Sequence, residues 1–258
     1  MNNKIKKILK KKNKSKIVCL TAYSKNIAEI IDDHADIVLV GDSLGSVLYN
    51  YDTTRKVSLN MMIEHTKSAR MGVKKSLLVI DLPYNTYRNK SEALKNSKKA
   101  IKETKCDAVK VEGGTRVKEI VKHLVKNKIP VLGHIGITPQ TTKGKFRSKG
   151  KNEKEIRKLL KDARDLEQSG AFGMVLECIY SDISKQITSA INIPTIGIGA
   201  SVNCDGQVLV TDDLIGLNET KFRFVKKFGN IKKNIKSAVL KYKNSVKQKK
   251  FPSKKNSY

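Results

Sequence analysis

Short runs of Val, Ile and Leu recur along the chain and alternate with longer segments whose apolar residues follow a helical period. The apolar runs predict β-strands at 17–21, 36–41, 77–81, 107–112, 130–134, 173–177, 194–198 and 207–210. Helices are predicted between most of these strands, at 24–33, 59–71, 91–104, 116–127, 153–169 and 181–190. Strands that are apolar on both faces and alternate with helices are typical of a parallel sheet covered by helices. The pattern therefore predicts an α/β fold, a single (β/α)₈ TIM barrel.

The two ends of the chain depart from this central pattern. Residues 1–16 form a basic segment that predicts a helix or a frayed arm. The chain from about 221 to 258 predicts a Lys-rich helical extension. Because we find no linker and no internal repeat, residues 1–258 are predicted to form one domain, with the barrel at about 17–220.

The charge of the chain raises the question of a nucleic-acid partner. There are 53 Lys and Arg residues against 24 Asp and Glu residues, a formal net charge of +29. The excess is mostly Lys and concentrates at the two ends, no aromatic RNA-binding motif accompanies it, and Trp is absent. We therefore expect solvated tails and helix faces. A basic nucleic-acid-binding protein is kept as the alternative from a different class of function.

The apolar segments indicate where the protein is located in the cell, and the spacing of the cysteines indicates whether they form disulfides or bind zinc. No apolar stretch approaches the roughly 18 residues of a membrane span, and no apolar signal-peptide core of about 7–15 residues follows the basic N-terminus. We therefore expect a cytoplasmic protein with no membrane partner. The four cysteines show neither C-x-x-C pairing nor zinc-like spacing with His, so we expect neither a disulfide scaffold nor a structural zinc.

Four carboxylates each stand where a predicted strand stops. Asp42 and Asp81 follow the second and third apolar runs, and Glu112 and Glu177 close the fourth and sixth. The carboxyl ends of parallel strands converge on one face of a barrel, and that face carries the chemistry in this architecture. The four acids are therefore predicted to share one site.

Asp42 and Asp81 are the natural pair for a metal ion. Two carboxylates brought together without a cation repel each other, and Mg²⁺ removes that repulsion while leaving positions open for water and substrate oxygens. Glu112 lies in the same layer and would join them as a ligand, directly or through water. The alternative for either aspartate alone is that it caps the segment that follows.

Lys110 and Glu112 are two residues apart on one predicted strand, so their side chains share a face. A buried ion pair that adds little stability is one interpretation. In a second interpretation Lys110 binds a substrate carboxylate, and in a third it is a Schiff-base nucleophile.

Glu177 lies in an apolar setting, where desolvation raises a carboxyl pKa toward the range of a general base. A structural salt bridge is the alternative for Glu177. His134 ends the fifth predicted strand on the same face, as an accessory acid–base group or as a structural histidine.

Motifs at these strand ends carry a resemblance to a known family. In chain order they are Leu20-Thr21-Ala22-Tyr23, Val40-Gly41-Asp42-Ser43-Leu44-Gly45, Asp81-Leu82-Pro83-Tyr84, Val109-Lys110-Val111-Glu112-Gly113-Gly114, Gly133-His134-Ile135-Gly136-Ile137-Thr138-Pro139-Gln140, Gly170-Ala171-Phe172, Leu176-Glu177-Cys178, Ile193-Pro194-Thr195-Ile196-Gly197-Ile198-Gly199-Ala200 and Cys204-Asp205-Gly206-Gln207. The resemblance covers about residues 17–252. With these motifs the chain resembles the ketopantoate hydroxymethyltransferases.

The resemblance implies a TIM-barrel enzyme that transfers a hydroxymethyl group from 5,10-methylenetetrahydrofolate to 3-methyl-2-oxobutanoate, giving 2-dehydropantoate in pantothenate biosynthesis. It implies Mg²⁺ bound by Asp42, Asp81 and Glu112, and a homodecamer. It further implies that Asp42, Ser43, Asp81 and Lys110 contact the keto acid, and that Glu177 accepts the proton.

Departures from the family pattern concentrate in the long loop 135–152, where 144–150 reads Gly-Lys-Phe-Arg-Ser-Lys-Gly. We hypothesise that the lysines of 143–151 attract the glutamate tail of the folate. Asn50 also stands where the family commonly has glycine. The alternative enzymes are a Schiff-base aldolase that uses Lys110, and a related Mg²⁺-dependent C–C lyase.

Overall fold

The computed structural model describes residues 2–142, 147–219 and 222–258. Its strands close into one barrel in chain order, with every neighbouring pair parallel and the last strand paired to the first. The strands are β1 Ile17–Thr21, β2 Ile37–Val40, β3 Leu77–Asp81, β4 Ala108–Lys110, β5 Val131–Gly136, β6 Gly173–Glu177, β7 Thr195–Ile198 and β8 Gly206–Leu209. The predicted (β/α)₈ TIM barrel is confirmed.

Helices precede, alternate with and follow the strands along the chain. They are α1 Asn3–Lys10, α2 Lys25–Ile31, α3 Leu44–Tyr49, α4 Leu59–Gly72, α5 Lys90–Thr104, α6 Lys118–Lys126, α7 Glu153–Gln168, α8 Ser181–Ala190, α9 Thr211–Leu214 and α10 Ile231–Lys247. Short 3₁₀ turns occur at Thr54–Lys56, Thr115–Val117 and Lys254–Asn256. Within the described ranges, no helix combines the length and the apolar character that crossing a membrane requires.

The chain divides into two compact units, Met1–Val210 and Thr211–Tyr258. The first unit contains the whole barrel with α1 to α8. The second contains α9 and α10, and α10 begins after Asn230, whose side chain accepts the Lys233 N–H. That residues 1–258 form one domain stays a prediction.

The alternation of side chains along each strand builds two apolar layers. Ile37 and Leu39 of β2 belong to the cluster inside the barrel, whereas Val38 and Val40 belong to the cluster between the barrel and its helices. Successive side chains of a strand point to opposite faces, so one strand supplies both layers. This is why the strands lack a polar face in the sequence.

The N-terminal helix closes the barrel at the amino ends of the strands. Ile5 and Ile8 of α1 are 1% and 3% exposed and join the cluster inside the barrel. The apolar positions of this basic segment therefore complete the core, which favours the helix over the frayed arm of the two sequence-based alternatives.

Several N-terminal lysines bind groups that precede or begin strands. Lys12 Nζ lies 2.9 Å from Asp205 Oδ2, and both side chains are less than 10% exposed. Lys4 Nζ donates to the Ser76 carbonyl at 2.7 Å, and Lys16 Nζ donates to the Cys204 carbonyl at 2.6 Å. The expectation that this end is a solvated tail is wrong for these lysines, because folding brings acceptors from distant strand starts to them.

The carboxyl ends of two strands differ from the predicted ones by two residues. The fourth strand ends at Lys110, so Glu112 lies beyond it, and the fifth continues to Gly136, so His134 lies inside it. Asn50 ends α3 with a left-handed φ of 53°, a conformation that asparagine tolerates better than most residues. Asn50 therefore fills the place of the family's glycine without losing the turn.

Candidate active site

The predicted acidic residues meet at the carboxyl ends of the strands, on the barrel axis. Asp81, Lys110 and Glu112 share the inward parity of their strands and are 2%, 5% and 1% exposed. Asp42 has the outward parity of Val40, yet it is also buried, because β2 ends at Val40 and the chain turns inward after it. The structure thus gathers these four side chains into one buried group.

Short contacts join these side chains. Lys110 Nζ lies 2.8 Å from Asp81 Oδ1 and 3.9 Å from Glu112 Oε1. The Asp42 backbone N–H donates to Asp81 Oδ2 at 3.0 Å. Asp81 therefore accepts a backbone donor on one oxygen and faces an ammonium on the other.

Burial and mutual repulsion set the protonation of the aspartates. Burial, then the charges of Asp81 and Glu112, raise the pKa of Asp42 to about 8. Burial also raises the pKa of Asp81, although the Lys110 ammonium opposes it. Burial lowers the pKa of Lys110, but the charges of the three carboxylates outweigh it and raise that pKa overall. Lys110 is consequently an ammonium at neutral pH.

His134 connects Glu112 with Glu177. Its Nδ1 lies 3.4 Å from Glu112 Oε1, and its Nε2 lies 3.2 Å from Glu177 Oε2. Burial and the Lys110 charge lower the pKa of His134, but the two carboxylates outweigh them and raise it to about 9. Burial raises the pKa of Glu112, but the contact with His134 and the nearby cations bring it below its usual value.

Glu177 and Ser43 lie at the edge of this group. The Glu177 side chain is 21% exposed, so its desolvation is less complete than the sequence analysis expected. Ser43 is partly buried at the start of α3, where its hydroxyl lies 2.9 Å from the Tyr23 hydroxyl. Both residues are accessible from the open face of the barrel while the other acids are enclosed.

The donor set fits a hard divalent cation in its chemistry. Within the described ranges, no three His, Cys, Asp or Glu side chains stand ready-made around a metal position. However, Asp42, Asp81 and Glu112 are three buried carboxyl groups, and burial together with the charges of Asp81 and Glu112 raises the pKa of Asp42 to about 8. An added cation would let Asp42 ionise, and carboxylate oxygens are the ligands that Mg²⁺ prefers.

Gln140, Tyr87 and Arg55 also belong to the site, and no role was predicted for them from the sequence. Gln140 is 1% exposed and its Nε2 donates to Asp42 Oδ2 at 2.8 Å. Tyr87 donates to Gln140 Oε1, and Arg55 Nε donates to the Gln140 carbonyl at 2.9 Å. The sequence contained one indication of this role, because Gln140 is the last residue of the motif that begins in the fifth strand.

A cavity of about 540 Å³ is lined by Gly113, which follows Glu112 in the chain, and by Gly136. Its lining also includes the cations Arg116, Lys149 and Lys158 and the acids Glu155 and Asp162. The cavity therefore combines accessible backbone with charged groups of both signs. Of the lysines to which we assigned the folate tail, those at 143 and 145 lie outside the described residues.

Comparison with known proteins agrees with this geometry. Residues 2–254 match the family model described as ketopantoate hydroxymethyltransferase. The chain is 62% identical over 258 residues to the 3-methyl-2-oxobutanoate hydroxymethyltransferase of Pelagibacter ubique (strain HTCC1062), covering 100% of both chains. It is 45% identical over 264 residues to the enzyme of that name from Clostridium botulinum (strain Langeland), covering 100% of this chain and 96% of the relative.

Two solved structures that are similar in fold have little sequence in common with this chain. Phosphonopyruvate hydrolase in complex with oxalate and Mg²⁺ superposes with a TM-score of 0.64 at 8% identity, covering 99% of this chain and 93% of that one. 2,3-Dimethylmalate lyase, a member of the PEP mutase/isocitrate lyase superfamily, gives a TM-score of 0.55 at 16% identity, covering 76% and 72%. These likenesses establish the barrel fold alone.

Proposed function

Since the chain belongs to the ketopantoate hydroxymethyltransferase family, we propose that it transfers a hydroxymethyl group from 5,10-methylenetetrahydrofolate to 3-methyl-2-oxobutanoate. The product would be 2-dehydropantoate, a precursor in pantothenate biosynthesis. The observation that carries the proposal is the buried group of Asp42, Asp81, Lys110 and Glu112, with Glu177 at its accessible edge.

The keto acid would bind against this group with its carboxylate toward Lys110. The Lys110 ammonium is the nearest side-chain cation to Asp81, at 2.8 Å, and Ser43 offers a hydroxyl at the accessible edge. Asp42, Asp81 and Glu112 would hold Mg²⁺, Glu112 directly or through water. When bound, this ion would polarise the keto oxygen and stabilise the negative charge that develops on it.

Glu177 would act as the general base. Its carboxylate would take the proton from C3 of the keto acid, and the electron pair left behind would form the new carbon–carbon bond to the one-carbon unit of the folate. Water would supply the hydroxyl oxygen, and tetrahydrofolate would leave. His134, 3.2 Å from Glu177 Oε2, would keep the carboxylate oriented during this step.

The cavity of about 540 Å³ is the place we propose for the folate. Gly113, which follows Glu112 in the chain, and Gly136 line it, and so do the cations Arg116 and Lys149. An anionic glutamate tail would be attracted to these cations. A homodecameric assembly and a cytoplasmic location stay predictions.

The alternatives are less well supported by the site. A Schiff-base nucleophile must be an unprotonated amine, whereas three carboxylates raise the pKa of Lys110. A C–C lyase would turn over a carboxylic acid without folate. A nucleic-acid-binding protein would use terminal lysines, and several of those at the N-terminus bind strand-start acceptors instead.

The deciding experiment is an assay of the wild-type chain and Glu177→Gln with both substrates, with and without Mg²⁺. In the variant, kcat should fall roughly 10²–10⁴-fold because an amide cannot accept the proton. Exchange of the C3 hydrogen in deuterated water, measured without folate, isolates that step and should fall in parallel.

Glu29→Gln is the matched control, because Glu29 lies on the outer helix α2 and is exposed. Full activity in Glu177→Gln would exclude Glu177 as the base. Turnover of the carboxylic acid in the absence of folate would instead favour the C–C lyase.

A further inference from the structure

Gln140 connects two carboxylates of the site, one through its side chain and one through its backbone. Its Nε2 donates both to Asp42 Oδ2 at 2.8 Å and to the Leu82 carbonyl at 3.0 Å. Its backbone N–H donates to Glu112 Oε2 at 3.1 Å. One residue of the loop after β5 therefore holds an oxygen of each of two carboxylates that lie on different strand ends.

Tyr87 determines which way the Gln140 amide faces. The Tyr87 hydroxyl donates to Gln140 Oε1 and accepts the Glu112 backbone N–H at 3.3 Å. Asp42 Oδ2 and the Leu82 carbonyl both need donors, so only the NH₂ end of the amide can face them. Both ends of the amide are thus hydrogen-bonded, as a buried polar network requires.

Arg55 holds the same loop from the other side. Its Nε donates to the Gln140 carbonyl at 2.9 Å, and its Nη2 donates to the Thr142 carbonyl at 3.3 Å. The guanidinium also lies over the Tyr84 ring, 5.3 Å from its centroid. The backbone position of Gln140 is therefore maintained by contacts other than those of its side chain.

We propose that Gln140 is a positioning residue that orients Asp42 for a divalent cation, and that Tyr87 acts through it. The inference rests on the proposed function, because it needs Asp42 to be a ligand. A carboxylate that a fixed donor already orients loses less conformational freedom when it binds a cation. Glu112 is held by the Gln140 backbone, so changing the side chain acts mainly on Asp42.

The test measures Mn²⁺ binding to the full chain, without substrates, by electron paramagnetic resonance. Gln140→Met keeps the side-chain length but removes both the C=O and the NH₂ of the amide. It should weaken Mn²⁺ affinity about 10–100-fold. Tyr87→Phe should weaken it less. In the Gln140→Met background, Tyr87→Phe should add at most about twofold, because Tyr87 acts through the amide.

The matched controls are Gln186→Met and Tyr242→Phe, both on exposed helix faces, and both should bind Mn²⁺ as the wild type does. In the activity assay, raising Mg²⁺ to saturation should restore most of kcat in Gln140→Met, which a merely misfolded variant would not do. Circular dichroism checks folding. If Gln140→Met fails to fold, the Tyr87→Phe affinity decides.

The two proposals fail in different ways. A wild-type chain that binds no divalent cation overturns the metal site and this inference with it. A wild-type chain that binds Mn²⁺, together with folded Gln140 and Tyr87 variants that bind it equally well, overturns the positioning role alone.

Discussion

His134 contributes to the site both through its contacts with two carboxylates and through its positive charge. It lies between Glu112 and Glu177, and its pKa of about 9 makes it a cation at neutral pH. The imidazolium therefore balances part of the negative charge of the site and fixes the rim carboxylate to the enclosed group. The residue lies between the two carboxylates, whereas the sequence left it open as an accessory acid–base group or a structural histidine.

Replacing His134 by glutamine tests this link. The amide can bond one carboxylate but carries no charge, so we expect kcat to fall about 10–100-fold, with a smaller change in the KM of the keto acid. Steady-state kinetics measure both constants. His34→Gln, at an exposed position, is the control. An unchanged kcat would mean that Glu177 needs no orientation by His134.

At the scale of elements, Asp32 joins the end of α2 to the start of β3. Its Oδ2 accepts the backbone N–H groups of Lys74 and Lys75 at 2.7 and 2.8 Å, and its Oδ1 accepts that of Ser76 at 2.9 Å. Burial raises the pKa of Asp32, but these donors outweigh it and lower the pKa below its usual value. One carboxylate thus satisfies three donors where the chain turns into a strand.

The Asp32 pKa gives a stability prediction with a definite sign. Because the folded pKa lies below the unfolded one, the contribution of Asp32 is present above the unfolded value near pH 4 and is lost as pH falls through the folded value. Asp32→Asn should cost about 1–3 kcal/mol of unfolding free energy at pH 7. Urea denaturation at pH 7 and pH 3 should find a smaller loss at pH 3.

The basic part of the loop before α7 is the second element with a testable role. Lys149 lines the cavity that we propose for the folate, and Lys151 is exposed two residues further along the chain. Replacing both by methionine should raise the KM of a polyglutamylated folate about two- to fivefold and leave kcat unchanged. Lys154→Met on α7 is the control. A KM that does not change would refute the tail hypothesis.

At the scale of the whole barrel, the amino end is closed by α1 and the carboxyl end is left for chemistry. Ile5 and Ile8 enter the barrel interior from below, and Lys12 pairs with Asp205 beside them. The end opposite the site therefore contributes stability, as expected for this fold.

Truncating an apolar side chain of α1 tests whether this closure contributes to stability without affecting catalysis. Ile5→Ala should cost about 2–5 kcal/mol because Ile5 is 1% exposed, while kcat of the folded variant stays near that of the wild type. Thermal and urea unfolding measure the first effect, and steady-state kinetics measure the second. Ile30→Ala, at a position 67% exposed, should change stability by less than about 0.5 kcal/mol. A large loss of kcat in folded Ile5→Ala would contradict this separation.

Local patterns in the sequence were sufficient for the barrel and for most of its acidic residues. Strands buried on both faces leave continuous apolar runs, and the end of each run is readable without knowing its neighbours. Asp42, Asp81, Glu112 and Glu177 were all predicted in this way, and the closed barrel brings the carboxyl ends of different strands together.

Folding alone brings together groups that are far apart in the chain. Gln140 reaches Asp42 across 98 positions and Tyr87 across 53, and Lys12 reaches Asp205 across 193. No local period encodes such contacts, because the partners are chosen by the closure of the barrel. The pKa values of Asp42 and His134 depend on the same closure, since burial and nearby charges exist only once the strand ends have met.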